Sequence, residues 1–199
     1  MSKRHAPATA RNREPLLAVL RRVLPASGTL LEIASGSGEH AAFFAAQLPA
    51  LELWPTDADP EALASIDAWC TEANLTNVHP ASFLDASAPT WPVTEADAVL
   101  CCNMIHIAPP AATEGLLVGS ARVLRPGGVL VLYGPFREGG QHTADSNARF
   151  DEDLQRRNPS WGVRDLDTVL SRAKELGLDH EATVPMPANN RTVVLVRRS

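Results

Sequence analysis

Thr29-Leu-Leu-Glu32-Ile33-Ala-Ser-Gly36-Ser37-Gly38-Glu39-His40-Ala41 is the stretch whose reading decides the fold. Residues 29 to 33 read as a short apolar strand, the glycines as a tight turn, and the alanine-rich run from Glu39 to Leu48 as a helix. Gly36 and Gly38 permit the turn and leave backbone N–H groups open to a ligand at the start of that helix. Glu32 closes the strand and sets a carboxylate beside the turn, where it would repel a pyrophosphate and suit an ammonium group. The run Gly36-Ser-Gly38-Glu-His-Ala41 still satisfies the loose dinucleotide fingerprint, with alanine in its last place.

Outward from this unit the pattern repeats. Leu51 to Thr56 is a second strand, Pro60 to Ala73 a helix with proline in its first turn, and Val78 to Phe83 a short third strand. Ala96 to Cys102 is a fourth strand, Pro110 to Leu124 a helix and Val129 to Tyr133 a fifth strand. Strands alternating with helices predict a parallel sheet covered on both faces. Upstream, Leu16, Leu17, Leu20, Val23 and Leu24 fall at helical spacing over Glu14 to Leu24, with Pro15 near the start. Residues 1 to 10 read as a flexible N-terminal arm.

After strand five the pattern changes. Gly134 to Trp161 is polar and too long for a plain connection. Its place after strand five marks it as a lid-like insertion over an acceptor, with Arg137, His142, Asn147, Arg149 and Phe150 offering contacts. Asp165 to Leu176 is a further helix, closed by Gly177. His180 to Val184 and Thr192 to Val196 are extended runs joined by a short loop, which can pair only as an antiparallel hairpin. The expected fold is therefore α/β: a Rossmann-like, doubly wound, seven-stranded and mostly parallel sheet ending in an antiparallel C-terminal hairpin, with residues 11–199 as one domain.

Composition agrees with a single globular domain of 199 residues, 45% apolar and 21% charged. A net charge of -5 argues against broad binding to nucleic acid or an anionic membrane. Arg156, Arg157 and Arg164 form a local basic group that reads as a solvated helix face. The three cysteines have no CxxC spacing, and Cys101 and Cys102 should point to opposite faces of a strand, so neither a disulfide nor a zinc clip is expected. A reducing cytoplasm fits best. No segment approaches the apolar length of a signal peptide or a membrane span. The oligomeric state is left open.

Three further features sit at successive strand ends. Asp57 closes strand two, 19 residues after Gly38, where a carboxylate can accept hydrogen bonds from both ribose hydroxyls. Asp85 follows strand three, at the next edge of the same crevice, within reach of an adenine amino group. Asn103-Met104-Ile-His106 follows strand four directly. Open α/β sheets bind their ligands at this carboxyl edge, where the strand order reverses.

Glu32 to Gly38, Asp57, Asp85 and Leu124-Arg-Pro-Gly-Gly128 together resemble the class I S-adenosylmethionine-dependent methyltransferases. Arg11-Asn-Arg-Glu-Pro15, Asn103-Met-Ile-His106, Tyr133-Gly-Pro-Phe136, Trp161-Gly-Val-Arg-Asp165 and Pro187-Ala-Asn-Asn190 resemble, more narrowly, the methyltransferase-like 26 group. The likeness runs over residues 10 to 198 and implies the fold and S-adenosylmethionine as cofactor, without settling an acceptor. Ala34 departs from the general pattern, standing where many class I enzymes carry the first glycine.

The expected cofactor contacts are Glu32, Gly36, Ser37, Gly38, Asp57, Asp85, Asn103 and Met104. Methyl transfer needs chiefly in-line positioning, and a base only if the acceptor arrives protonated. His106 is the foremost base candidate, with Tyr133 and His142 able to face the acceptor; His40 reads as a packing or capping residue. Arg11, Asn12 and Arg13, folding over from the amino end, together with Arg137 and Asn147, are expected to touch a small-molecule acceptor. Asn189 and Asn190 read as a turn. Two alternatives remain: an NAD(P)-dependent oxidoreductase, supported by the same glycine turn and Asp57, and a relative that binds the cofactor without turnover.

Overall fold

The computed structural model describes residues 3–198. Its strands are β1 (Gly28–Ile33), β2 (Leu51–Asp57), β3 (Ser82–Phe83), β4 (Ala96–Cys102), β5 (Leu124–Gly134), β6 (Arg137–Glu138), β7 (Gln141–His142), β8 (Leu178–Met186) and β9 (Asn190–Arg197). Six helices alternate with them: α1 (Pro7–Val23), α2 (Glu39–Gln47), α3 (Pro60–Glu72), α4 (Pro110–Val123), α5 (Asp145–Arg157) and α6 (Leu166–Glu175).

Seven strands form one sheet in the order β3-β2-β1-β4-β5-β9-β8, and β6 and β7 form a separate antiparallel pair. Strands β1 to β5 run parallel, while β9 is antiparallel to both β5 and β8. The expected fold class is what is found. The last two strands enter the sheet out of sequence, because β9 lies between β5 and β8.

Alternation along the central strands sends side chains to two apolar layers. Leu31, Ile33, Val99, Cys101, Leu130 and Leu132 face α4 and α6. Leu30, Ala98, Leu100, Val131 and Tyr133 face α1, α2 and α3. Cys101 and Cys102 divide between these layers, as adjacent strand residues must. The chain leaves β1 toward β2 and β3, then returns to place β4 on the other side of β1, so the strand order reverses between β1 and β4.

Strands β5 and β8 extend beyond their expected bounds, β5 beginning at Leu124 rather than Val129, and two boundaries nearer the amino end also differ from expectation. Helix α1 begins at Pro7, so residues 7–10, read from sequence as arm, are its first turns; residues 1 and 2 lie outside the described residues. Small polar residues hid those turns because their apolar stripe starts only at Leu16. The third strand shrinks to Ser82–Phe83, preceded by one isolated bridge between Leu53 and Val78. Pro80 accounts for the gap, since it has no N–H to give a ladder.

Candidate active site

The glycine turn takes its shape from three left-handed residues: Ala34 (φ 56°), Gly36 (φ 59°) and Gly38 (φ 88°). A Cβ on Gly36 would meet nothing within 4 Å, whereas one on Gly38 would lie 2.5 Å from Ile66 Cα in α3. Gly36 thus serves the open side of the turn, and Gly38 serves the close approach of α2 to α3. Ala34 adopts a conformation that costs an L-residue roughly 1–2 kcal/mol. Asn103, at the end of neighbouring β4, is also left-handed (φ 62°). Strained turns at two adjacent strand ends mark this as the worked edge of the sheet.

Between those ends lies a cleft of about 550 Å³, within the range of small-molecule sites. Ala34, Gly36, Asp57, Asp85, Cys102 and Met104 line it. Asp57 braces the turn: Gly36 N–H donates to its Oδ2 (2.8 Å) and Asp59 N–H to its Oδ1 (2.9 Å). Asp85 accepts at Oδ1 from the Ser87 hydroxyl (2.7 Å) and N–H (2.9 Å), which hold its pKa below the usual carboxylate range. Its Oδ2 has no protein donor among the described residues.

Glu32 is 1% exposed and lies under the turn rather than in the cleft lining. Burial lifts its pKa to about 7, and Asp57 adds to the rise. Glu32 Oε2 and Ser35 Oγ are both buried without a hydrogen-bond partner. A buried carboxylate with an unmet oxygen fits a cationic group and would oppose a pyrophosphate.

The remaining expected residues divide by location. Ser37 caps locally, its hydroxyl 3.1 Å from Glu39 Oε2, and does not line the cleft. Asn103 donates its N–H to Tyr133 O (2.7 Å) and likewise stays out of the lining. Tyr133 is buried, and its hydroxyl accepts from Asn190 Nδ2 (3.0 Å) beside Asn12. His40 bonds to Asn12 Oδ1 (2.8 Å), and burial lowers its pKa to about 4. Arg13 stacks its guanidinium over Phe43, and Arg11 is exposed. Asn12, His40, Tyr133 and Asn190 thus form one polar seam between α1, α2 and β9, reaching the cleft at Cys102, which pairs with Tyr133 in register.

Four expected contacts are placed elsewhere. His106 is 0% exposed, enclosed by Phe136 at 5.2 Å and by the Arg164 N–H, which donates to its Nδ1 (3.3 Å). Burial, with the charge of Arg164, holds its pKa near 3, so it stays neutral and sealed from the cleft. His142 sits 3.2 Å from Asp151, tying β7 to α5. Asn147 donates to Asn189 O (3.0 Å), tying α5 to the β8–β9 turn. Arg137 faces a different cavity, between α4 and α6. The segment from 134 to 161 is therefore a folded hairpin and helix rather than an irregular loop. Arg164, read as part of a solvated face, is half-buried and donates to Ile105 O (2.8 Å) and Ala108 O (2.6 Å).

Several cleft residues escaped the sequence-based site, among them one cation and one aromatic. Arg4 lines the cleft while pairing with Asp59 (2.6 Å), and Trp161 lines it from the end of the 134–161 segment. Arg4 lies in a stretch without periodicity, so no sequence signal pointed to it. Trp161 entered the sequence reading as the end of the lid-like segment and within a family motif, with no contact assigned to it.

A family model described as "Protein of unknown function (DUF938)" matches residues 3–197. The chain belongs to the DUF938 family. Solved structures share this fold. The apo form of the S-adenosylmethionine-dependent methyltransferase SibL superposes with a TM-score of 0.77 at 21% identity, covering 96% of this chain and 56% of that one. An O-methyltransferase family 2 protein from Planctomyces limnophilus, in complex with apigenin, gives 0.74 at 17%, covering 93% and 61%. YcgJ from Bacillus subtilis gives 0.74 at 14%, covering 96% and 99%. The DUF938 chain thus spans little more than half of two of these proteins and nearly all of the third. These likenesses establish the class I methyltransferase fold. Among the described residues no helix is long and apolar enough to cross a membrane, and no cluster of three metal-ligating side chains occurs.

Proposed function

We propose that this protein transfers a methyl group from S-adenosylmethionine to a small-molecule acceptor. The observation that carries the reading is the convergence of the Gly36 turn, Asp57 and Asp85 on one cleft at the β1–β4 strand-order reversal, above a carboxylate with an unmet oxygen. When bound, the cofactor supplies a sulfonium methyl already activated toward a nucleophile. The chain supplies position. Asp57 accepts from ribose hydroxyls with the lone pairs left free by Gly36 and Asp59, Asp85 Oδ2 accepts from the adenine amino group, and Glu32 attracts the ammonium from beneath the turn, without lining the cleft. Met104, Ile107 and Trp161 exclude water. His106, neutral and sealed, acts as packing rather than as a base. The fold neighbours named for methyl transfer, and the one holding apigenin, support a small-molecule acceptor. The motifs from Arg11-Asn-Arg-Glu-Pro15 to Pro187-Ala-Asn-Asn190 support kinship with the methyltransferase-like 26 group. A cytoplasmic location accords with three free cysteines.

Calorimetric titration with S-adenosylhomocysteine and with NADH tests the cofactor. Binding of the first alone is expected; binding of NADH alone would replace this reading with an oxidoreductase. Incubation with labelled S-adenosylmethionine and a metabolite extract then tests turnover and identifies the acceptor.

A further inference from the structure

We infer that the cavity between α4 and α6 is a second ligand site, taking a small organic anion with an apolar body. It encloses about 500 Å³, enough for a small metabolite. Its floor is apolar, from Pro110, Ala111, Leu117 and Val169, and Arg137, Arg164 and Arg172 stand around it. Most of the charge there is already answered. Arg172 pairs with Glu114 and Glu175, and Asp165 accepts from the Gly140 N–H (2.8 Å) and the Thr168 N–H (3.1 Å). Arg164 directs Nε and Nη2 at backbone carbonyls.

Arg137 is the exception. Its guanidinium has no ion pair and no hydrogen bond among the described residues, and its Nε is buried without a partner, as is Thr113 Oγ1. Arg164 sets a like charge beside it, and Asp165 on the same rim an opposite one, already held by the Gly140 and Thr168 N–H groups. A half-buried guanidinium whose Nε finds no protein acceptor carries a desolvation cost that a bound anion would offset. The planar fork of arginine matches a carboxylate in two hydrogen bonds, and the floor takes hydrocarbon.

This site is separate from the cofactor cleft but adjoins it. Ala111 lines both cavities, and Arg164 holds the 105–108 turn whose Ile107 and Ala108 line the cleft. The inference does not depend on the methyl-transfer reading.

Amide spectra of the full chain titrated with benzoate test it, with benzamide and inorganic phosphate as controls. Benzoate is expected to shift the amides of Ala111, Thr113, Thr168 and Val169 saturably. Benzamide, which keeps the ring without the charge, and phosphate, which keeps charge without a ring, should each bind at least about tenfold more weakly. Arg137→Gln should weaken benzoate by about tenfold or more, the loss of one charge-assisted hydrogen bond, while the melting temperature and S-adenosylhomocysteine affinity stay unchanged. No saturable shift at these amides, equal binding of benzamide, or unchanged benzoate affinity in Arg137→Gln would each overturn the proposal.

Discussion

Glu32 concentrates the chemistry of the cleft in one side chain. Its pKa near 7 lies above the ordinary value of 4.5, so the folded state holds a proton that the unfolded state gives up between those values. Stability from this group is therefore full below about pH 4.5 and falls as pH rises to about 7, by about 3 kcal/mol in all. Glu32→Gln should abolish that decline and raise the urea midpoint at pH 8, measured on the ligand-free protein across pH 5 to 8. An unchanged pH profile would remove the buried charge from the account. The glycines make a paired test. Gly38→Ala drives a Cβ into the α3 backbone and should destabilise by roughly 2–4 kcal/mol, whereas Gly36→Ala meets open space and should cost only about 1 kcal/mol of left-handed strain. Chemical denaturation of the two variants distinguishes them. The sequence marked both as turn glycines without separating them, because the distinction depends on Ile66, 28 residues beyond Gly38.

At the scale of elements, the site is assembled by strand ends that reach across to one another. Asp57 at the end of β2 clasps the turn after β1, so Asp57→Ala loses a ligand acceptor and loosens Gly36 together. Binding of S-adenosylhomocysteine should weaken by roughly 1.5–3 kcal/mol, read by calorimetry on a variant with an unchanged far-ultraviolet spectrum. Helix α5 is held differently, by polar contacts of Asn147 and Asp151 more than by an apolar face. Asn147→Ala should raise amide exchange over residues 145–157 and leave β4 and β5 protected; uniform exchange across the chain would instead mean global loosening. These elements show what the sequence could and could not disclose. Period-two and helical spacing made β1, β2, β4, β5 and α2 to α4 legible, along with Asp57 and Asp85 at strand ends. The roles of His106, His142 and Asn147 were not legible, since a polar residue committed to a distant partner looks in sequence like one awaiting a ligand.

For the whole molecule, acid stability follows from two histidines buried neutral on opposite faces of the sheet. His40 titrates near pH 4 and His106 near pH 3 in the fold, both below the ordinary 6.5 because burial penalises their charged forms. Their contribution is complete above pH 6.5 and is lost as pH falls toward 4 and then 3, opposite in sign to that of Glu32. Two histidines outweigh one glutamate between about pH 5 and 6.5, so the wild type should lose stability gently on acidification there and more steeply below pH 5. In Glu32→Gln the fall over the same window should be roughly twice as steep, and circular dichroism melts across this range check it. The position of β9 between β5 and β8 has a consequence for synthesis. A ribosome delivers β8 before the strand that must separate it from β5, so until residues 190–197 emerge the apolar edge of β5 has no native neighbour. A nascent chain halted before Asn190 should bind holdase chaperones, and one released after Arg197 should not.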